Sequence, residues 1–389
     1  MEYTSYERVK AALEHREPDR VPFDLGGSCV TGINIKCLNN LRNYLGLEKK
    51  ELNLFDVVSQ TAIVDDDLIE KLKIDVKIVP PKPPIKKNIL EKKVWSEAEH
   101  YKLIDEFGIG WKMPMKGGHF FDLYKHPLKD AETMEDIKNY PWPDALDPGR
   151  YACLKKRADC IVYKEKKAYM LGRHFAGMWE TAMWMTGYEK FFMDMYFNKK
   201  LIHAIMNKMT ELKMLYWEKA LETVGENVLV VSTADDLGSQ NSLLVSPESY
   251  KELIWPYHKK LFQFIKKKAK SKVYIFYHCD GAIKEAIPLL LEAGIDILNP
   301  VQVQCKGMDT KVLKKEFGKD LIFWGALADS QSILPFGTPE EVREETKRRI
   351  DDLAPGGGWI AAPIHCIQSE VPPENIMIMW ETLKEYGVY

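Results

Sequence analysis

The segment KVYIFYHCDGAIKEAIPLLLEAGIDILNPV, residues 272–301, decides the fold class of this chain. It contains an apolar run, a short polar turn (HCDG, 278–281), an amphipathic stretch over 282–293 and a second apolar run after Gly294. Short apolar runs bounded by turn residues predict buried strands, and the amphipathic stretch predicts a helix. A strand, a helix and a second strand in this order predict a βαβ unit with parallel strands.

The same alternation extends along the chain in both directions. The apolar runs after residue 167 are AYMLGRHF (168–175), NVLVVSTADD (227–236), KVYIFYHCD (272–280), IDILNPV (295–301), DLIFWGAL (320–327) and GWIAAPIHC (358–366). Helical patterns accompany them over 188–223, 247–270, 282–293, 309–317 and 339–353. Two earlier runs, VPFDL (21–25) and DVKIVP (75–80), bring the strands to eight, which predicts a (β/α)8 TIM barrel. An open doubly wound sheet is the alternative, but no G-x-G-x-x-G motif follows the first strand.

Two further segments lie outside this regular alternation. Residues 5–15 have apolar positions at helical spacing and predict an N-terminal helical extension. Residues 80–150 are rich in Lys, Pro and Gly, as in PPKPPIKKN (80–88) and MPMKGGHFF (113–121), which predicts an irregular or β-hairpin insertion. We therefore interpret residues 1–389 as a single barrel domain with an insertion at about 80–150.

Composition excludes several classes of function. The 389 residues are 46% hydrophobic, and 55 Lys and Arg side chains balance 57 Asp and Glu, so nothing indicates a nucleic-acid partner. The charged first 20 residues lack the apolar centre of a signal peptide, and no run reaches the roughly 18 apolar residues of a membrane span. We expect a cytoplasmic protein with no membrane partner. The seven cysteines have no framework spacing, which predicts reduced thiols.

Polar residues with metal-binding or acid–base chemistry follow most of the predicted strands. In a parallel α/β barrel the functional groups lie at the carboxyl ends of the strands, so these residues are the site candidates. They are Asp235 and Asp236, His278, Cys279 and Asp280, Gln302 and Gln304, Asp329 and Gln331, and His365, Cys366 and Gln368.

His278 and Asp280 form the most specific of these pairs. Residues i and i+2 of an extended strand point to the same face, so the two side chains converge while Cys279 points away. A further ligand from His365 or Cys366, after the last strand, would complete a zinc site with one open position. The alternative is that both histidines are hydrogen-bonded structural residues and both cysteines are small buried hydrophobes.

Two other groups have both a functional and a structural interpretation. Asp235 and Asp236 could supply a general base, a ligand or a substrate clamp, or they could lie in a solvated loop or cap a helix. Residues 173–185, RHFAGMWETAMWM, could line an aromatic ligand pocket, although Met and Trp at helical spacing more often lie in a core.

The order of the motifs resembles the uroporphyrinogen decarboxylase superfamily, in particular its corrinoid-linked methyltransferase branch. The resemblance covers nearly the whole chain and implies a (β/α)8 barrel and a homodimer. The motifs that carry it are ERV to RVPF (7–23), DDLGSQ (235–240), SPE (246–248), YHCDG (277–281), AGIDILNP (293–300), FWG (323–325), LAPGGG (353–358) and the segment from His365 to VPPENI (371–376).

The branch is indicated by departures from the decarboxylase pattern. Uroporphyrinogen decarboxylases have an R-Q-A-G-R-Y segment that grips substrate carboxylates, where this chain has LGGSCVTGI (25–33). Methylcobamide methyltransferases bind zinc through an H-x-C pair and a later cysteine. His278 matches the first ligand, Asp280 replaces the second, and the third falls on His365, with Cys366 one position later. This harder ligand set suits a Lewis acid acting on oxygen and disfavours coenzyme M as methyl acceptor.

The resemblance implies a specific reaction. We expect a methyltransferase that moves a methyl group from a small-molecule methyl ether, a methoxylated aromatic, to the cob(I)alamin cofactor of a partner corrinoid protein. Zinc on His278, Asp280 and His365 or Cys366, or an acid at Asp235 or Asp236, would activate the leaving oxygen. The aromatic side chains expected to stack on the substrate are Phe175, Trp179, Trp184, Tyr277 and Trp324. The alternative is a metal-independent decarboxylase or lyase that uses Asp236.

Overall fold

The structure is a computed structural model that describes residues 2–86 and 90–389, so residues 87–89 of the predicted insertion lie outside the described residues. The strands are β1 (Leu54–Asp56), β2 (Thr61–Ala62), β3 (Val76–Val79), β4 (Lys92–Glu97), β5 (His100–Ile104), β6 (Gly110–Pro114), β7 (Asp122–Lys125), β8 (Ala168–Leu171), β9 (Val230–Ala234), β10 (Tyr274–His278), β11 (Ile297–Asn299), β12 (Ile322–Ala326) and β13 (Trp359–Ala362).

The helices lie mainly between and after the strands of the second half of the chain. They are α1 (Ser5–Leu13), α2 (Ile35–Tyr44), α3 (Asp66–Lys71), α4 (Met134–Asn139), α5 (Pro148–Tyr151), α6 (Leu154–Asp159), α7 (Met178–Thr186), α8 (Tyr188–Phe197), α9 (Lys199–Val224), α10 (Pro247–Leu253), α11 (Trp255–Lys268), α12 (Ile287–Ala293), α13 (Thr310–Phe317), α14 (Ile333–Phe336), α15 (Pro339–Leu353) and α16 (Pro373–Tyr386). A π-helical turn spans Cys160–Lys164, and a 3₁₀ turn spans Lys284–Ala286.

A parallel sheet forms the centre of the molecule. Within the described residues it contains seven strands in the order β3-β8-β9-β10-β11-β12-β13. Most of these strands are buried along their whole length, which explains why they are nearly continuous apolar runs rather than alternating ones. The arrangement is an α/β fold with a curled parallel sheet, consistent with a TIM-barrel-like fold.

The segment VPFDL joins the two edges of this sheet. The Ala361 N–H of β13 donates to the Pro22 carbonyl, and the Asp24 N–H donates to the Ala361 carbonyl, each at 2.9 Å. On the other side, the Asp75 N–H, next to β3, donates to the Phe23 carbonyl at 2.8 Å. The segment pairs with β13 only at Phe23 and Ala361, so it lies where the eighth strand is expected without forming a long one.

The additions to the sheet are local structures of their own. Helix α1 begins at a capping box between Thr4 and Glu7 and lies within the predicted N-terminal helix. Strands β4 to β7 form an antiparallel sheet in chain order, inside the range where the sequence indicates hairpins. No helix of the described residues is long and apolar enough to cross a membrane.

Two hydrophobic layers surround the parallel strands. Side chains inside the curled sheet form one cluster, which includes Val76, Met170, Phe276 and Trp324. A larger cluster fills the space between the strands and the outer helices. Because both faces of the strands are covered, polar side chains collect at the strand ends, where the candidate site lies.

Candidate functional site

His278, Asp280 and His365 converge at the carboxyl end of the sheet. His278 is the last residue of β10, Asp280 lies two residues later, and His365 follows β13. One ligand atom from each lies within 4.8 Å of the others. The Asp280 Oδ2 atom is 3.7 Å from His278 Nε2 and 3.8 Å from His365 Nε2. Strands β11 and β12 separate β10 from β13 in the sheet, so the curvature of the sheet brings the two histidines together.

The orientation of His278 is fixed by Asn299, the last residue of β11. His278 Nδ1 donates to Asn299 Oδ1 at 2.7 Å, and Asn299 Nδ2 donates to the Trp324 carbonyl at 2.8 Å. Because the Asn299 nitrogen donates to the Trp324 carbonyl, the atom that faces His278 is the Asn299 oxygen, which can only accept. His278 therefore carries its proton on Nδ1, and the lone pair of its Nε2 atom faces Asp280. Burial lowers the pKa of His278 to about 4, an effect that Asp236 opposes and His365 reinforces. The imidazole is therefore neutral at pH 7, the form that binds a metal.

Asp280 has an unsatisfied oxygen. Its Oδ1 atom is buried and has no hydrogen-bond partner among the described residues. Burial raises the pKa of Asp280, whereas the nearby His365 lowers it. A cation bound between the histidines would contact the Oδ2 atom that faces them and would favour the ionised form of this under-bonded carboxylate.

The three side chains fit zinc. Two imidazoles and one carboxylate form one of the ligand sets found in catalytic zinc sites with an open position. The cluster also borders an open cavity of about 390 Å³ that Gln302, Gln331 and Gln368 help to line. The fit therefore rests on the donor set, the tautomer of His278 and the unsatisfied oxygen of Asp280.

His365 lies in this cluster because of its backbone conformation. Its φ angle is 61°, in the left-handed region that residues other than glycine rarely adopt, and its side chain is 39% exposed. The neighbouring Cys366 is buried, with its Sγ atom 3.3 Å from Thr61 Oγ1. Burial raises the pKa of the Cys366 thiol to about 12. Of the two predicted ligands from this segment, the structure brings only His365 into the cluster.

The adjacent aspartates have different environments. Asp235 is buried and accepts hydrogen bonds from the backbone N–H groups of Met178 and Glu180 and from His258 Nε2, at 3.0, 2.9 and 2.7 Å. These bonds hold the start of α7 and occupy both carboxylate oxygens of Asp235. Asp236 is half-buried, with Oδ1 4.0 Å from His278 Nε2. Burial and the charge of Asp280 raise the pKa of Asp236.

An aromatic cavity of about 410 Å³ opens at the same end of the sheet. Phe175 and Trp184, both predicted substrate contacts, line it together with Phe55 and Trp111. The Trp111 and Trp184 rings meet edge to face at 5.2 Å, and the Phe175 and Trp184 rings meet at 6.2 Å. These rings form an apolar wall suited to a flat ligand.

The other three predicted aromatic contacts lie in the core. Trp179, Tyr277 and Trp324 are each 0% exposed. Their polar atoms donate to the Asp236 carbonyl, the Asp235 carbonyl and Asp24 Oδ2, respectively. None of the three has a surface free to stack on a substrate, because each fills space inside the sheet or between the sheet and the helices.

Several site residues are not singled out by the sequence. Glu180 lies near Asp236, and burial together with the charges of Asp236 and Asp235 raises its pKa well above the ordinary value. Asn299 ends the run IDILN, so its strand-end position was the signal that could have found it. Trp111 belongs to the insertion, and no local pattern connects it with Trp184 some 70 residues later.

Comparison with known proteins places the chain in a family. Residues 104–386 match the uroporphyrinogen decarboxylase (URO-D) family, and the chain belongs to it. It is 24% identical over 268 residues to the methylcobamide:CoM methyltransferase MtbA of Methanosarcina acetivorans, covering 68% of this chain and 71% of that protein. It is 27% identical over 245 residues to the methylated-thiol–coenzyme M methyltransferase of Methanosarcina mazei, covering 59% and 58%. A uroporphyrinogen decarboxylase of Legionella pneumophila is 24% identical over 268 residues, covering 67% and 70%.

A solved structure supports the fold. The structure of a methyltransferase from Methanosarcina mazei superposes with a TM-score of 0.63 at 16% identity and covers 99% of both chains. At this identity the structural similarity establishes the fold alone. The superposition also includes residues that precede the family match at 104–386.

Proposed function

We propose that this member of the uroporphyrinogen decarboxylase family is a corrinoid-dependent methyltransferase. Its methyl donor is a methyl ether, a methoxylated aromatic, and its acceptor is the cob(I)alamin of a partner corrinoid protein. The observation that carries the proposal is the cluster of His278, Asp280 and His365 at the same end of the sheet as a cavity walled by aromatic rings. The methyltransferases among its relatives support methyl transfer as the reaction.

An ether donor is supported by the chemistry of the three clustered side chains. His278, Asp280 and His365 would hold zinc, which when bound supplies a Lewis acid that polarises an oxygen. Thiolate ligands are absent from this cluster among the described residues, since Cys279 and Cys366 are buried with thiols directed at Leu237 and Thr61. A carboxylate in place of thiolate favours an oxygen-containing ligand over a thiol.

The chain supplies binding and a proton. The rings of Trp111, Phe175 and Trp184 hold the aromatic ring of the donor. In the reaction the bond between the methyl carbon and the ether oxygen breaks, cobalt(I) supplies the electron pair of the new cobalt–carbon bond, and the phenolate leaves with the electrons of the old one. Asp236, whose Oδ1 atom lies 4.0 Å from His278 Nε2, and Glu180 would deliver a proton to that oxygen, a role that the raised direction of their pKa values favours.

The test is methyl transfer measured beside zinc content. Purified protein is mixed with reduced cobalamin and with each member of a panel of methoxyarenes, and the loss of cob(I)alamin absorbance is followed. We expect the wild type to contain about one zinc per chain and to form methylcobalamin. His278→Ala and His365→Ala should lose both zinc and activity while remaining folded by circular dichroism. Cys366→Ala is the matched control, because its thiol lies outside the cluster, and it should keep both.

Three other outcomes would each overturn one part of the proposal: the role of the metal, the ether donor or the reaction itself. Full activity in His278→Ala would remove the metal from the reaction and leave acid catalysis by Asp236 and Glu180. Failure of the zinc-loaded wild type to methylate cob(I)alamin from a panel of methoxyarenes would reject ether demethylation. Release of carbon dioxide from a carboxylated substrate without cobalamin would favour the decarboxylase alternative.

A further inference from the structure

We propose that the methyl donor carries a carboxylate on its aromatic ring and that Arg173 binds it, so that the donor class is the methoxybenzoates. This inference rests on the proposed function for the reaction, whereas the binding of an aromatic carboxylate can be tested without it. Four features of Arg173 support it: it lines the aromatic cavity, it has no direct ion pair in the described part of the chain, neutral groups hold its guanidinium, and the wall around it is mainly apolar.

Arg173 lies at the carboxyl end of β8 and lines the aromatic cavity. Its neighbours in the cavity wall include Phe175 and Trp184. A ligand in contact with Arg173 therefore occupies the same region as the proposed methyl donor.

Arg173 lacks the carboxylate partner that the buried arginines have. The four most buried ones, Arg8, Arg42, Arg150 and Arg349, each pair with an Asp or Glu. In the part of the chain that the structure describes, no carboxylate oxygen lies within 4.0 Å of the Arg173 guanidinium. Burial raises the pKa of Glu180 and the charge of Arg173 lowers it, but the two side chains form no direct ion pair among the described residues. An anionic ligand in contact with the guanidinium would therefore still stabilise it.

The guanidinium is held in place by neutral groups. Its Nη1 atom donates to Ser232 Oγ at 3.0 Å, and Nη2 lies 3.7 Å from Cys29 Sγ. These contacts orient the group, and among the described residues its other N–H donors have no hydrogen-bond acceptor. The loop after Arg173 is also anchored, because Lys213 Nζ donates to the carbonyls of His174 and Ala176.

The acidic side chain in the cavity wall does not compete for Arg173. Asp56 lines the cavity, but its carboxylate accepts the backbone N–H groups of Val58 and Ser59 and the Ser59 hydroxyl. The remaining wall is apolar and aromatic, which suits the ring of the ligand. A planar fork of N–H donors beside such a wall matches a benzoate, whose carboxylate lies nearly in the plane of its ring.

Equilibrium binding tests this inference with two probes of the same shape. The change in tryptophan fluorescence is titrated with 4-methoxybenzoate and with neutral 4-methoxybenzamide, without corrinoid protein. We expect Arg173→Gln to weaken 4-methoxybenzoate binding about 10- to 100-fold and to change amide binding by less than about twofold. Arg173→Lys keeps the charge but not the forked N–H donors, so its affinity for 4-methoxybenzoate should lie between those of the wild type and Arg173→Gln. Arg343→Gln, a surface arginine paired with Glu385, is the matched control and should bind like the wild type.

Each contrary outcome has a distinct meaning. Wild-type protein that binds the amide as tightly as the benzoate, or Arg173→Gln protein that remains folded and loses both equally, would reject the carboxylate contact. Arg173-dependent binding of 2-mercaptoethanesulfonate without binding of the benzoate would assign Arg173 to a sulfonate and overturn the inference. Benzoate binding that depends on Arg173, with no methyl transfer to cob(I)alamin, would reject the proposed function and keep this site.

Discussion

At the scale of single residues, the cluster of His278, Asp280 and His365 depends on the amide of Asn299. The oxygen of this amide accepts a hydrogen bond from His278 Nδ1–H and its nitrogen donates to the Trp324 carbonyl, so it sets both the tautomer and the ring orientation of His278. Hydrogen bonds of this kind usually tune the affinity of a metal site, because a free ring loses orientation and basicity.

Removing this amide should therefore weaken metal binding. We expect Asn299→Ala to lower zinc affinity about 10- to 100-fold, since His278 would keep its lone pair but lose its fixed orientation. Competition with a chromophoric chelator measures the affinity. Asn227→Ala removes another buried amide, one bonded to Tyr169 and Asp159 away from the cluster, and should bind zinc like the wild type. Equal affinities in both variants would show that Asn299 does not support the proposed metal site.

At the scale of elements, the antiparallel sheet of β4 to β7 is joined to the segment after β8 of the parallel sheet through Glu106, between β5 and β6. Its carboxylate accepts from the Arg150 guanidinium and from His174 Nε2, the latter at 3.0 Å. His174 is the neighbour of Arg173, and Trp111 of the same antiparallel sheet lines the aromatic cavity. The position of this sheet therefore affects the shape of the cavity.

The pH dependence of stability should report this junction. Burial alone would raise the pKa of Glu106, but the bonds from His174 and Arg150 lower it to about 2, below its ordinary 4.5. A lowered carboxyl pKa stabilises the folded state above pH 4.5, and this contribution is lost as the pH falls from about 4.5 towards about 2.

Glu106→Gln should remove that contribution. We expect the variant to be less stable than the wild type by about 2–3 kcal/mol at pH 7, and the difference to shrink by about 1 kcal/mol at pH 4. Urea unfolding at the two pH values measures it. The exposed Glu97→Gln serves as the control and should differ from wild type by less than about 1 kcal/mol at both. If the difference in unfolding free energy between Glu106→Gln and the wild type became larger at pH 4 than at pH 7, the lowered pKa of Glu106 would be wrong.

At the scale of the whole molecule, closure of the sheet depends on Asp75, just before β3. This fully buried carboxylate accepts from Arg8 of α1 at 2.7 Å, from Arg20 at 2.8 Å and from the Phe23 N–H at 2.9 Å. It therefore joins the N-terminal helix and the closing segment VPFDL to the edge of the sheet.

Loss of Asp75 should destabilise the entire fold. We expect Asp75→Ala to lower the free energy of unfolding by about 3–5 kcal/mol, because it leaves the buried Arg8 charge with only part of its compensation. Asp66→Ala removes the 81% exposed partner of Lys77 and should cost less than about 1 kcal/mol. Denaturant unfolding compares the two, and equal losses would show that Asp75 does not join these elements.

The sequence by itself determined the alternation of strands and helices and the end of the sheet at which the candidate residues lie. Apolar runs with helical patterns between them define parallel strands, because only strands covered on both faces have such continuous apolarity. Once the strands are placed, the carboxyl ends bring His278 and Asp280 to one side of the sheet. The period of two along a strand also brings their side chains to one face.

Only the tertiary structure decided which strand-end residues meet. His365 rather than Cys366 lies in the cluster because His365 has a left-handed backbone conformation, and no sequence pattern predicts that conformation. The aromatic residues divide in the same way: Trp184 lines a cavity and Trp324 lies inside the sheet, although both are tryptophans in apolar segments. Trp111 reaches the cavity from a segment about 70 residues before Trp184 in the sequence, and Arg173 has no carboxylate oxygen within 4.0 Å among the described residues. Local sequence encodes periodicity and propensity, whereas cavities and unpaired charges arise from contacts between residues far apart in the chain.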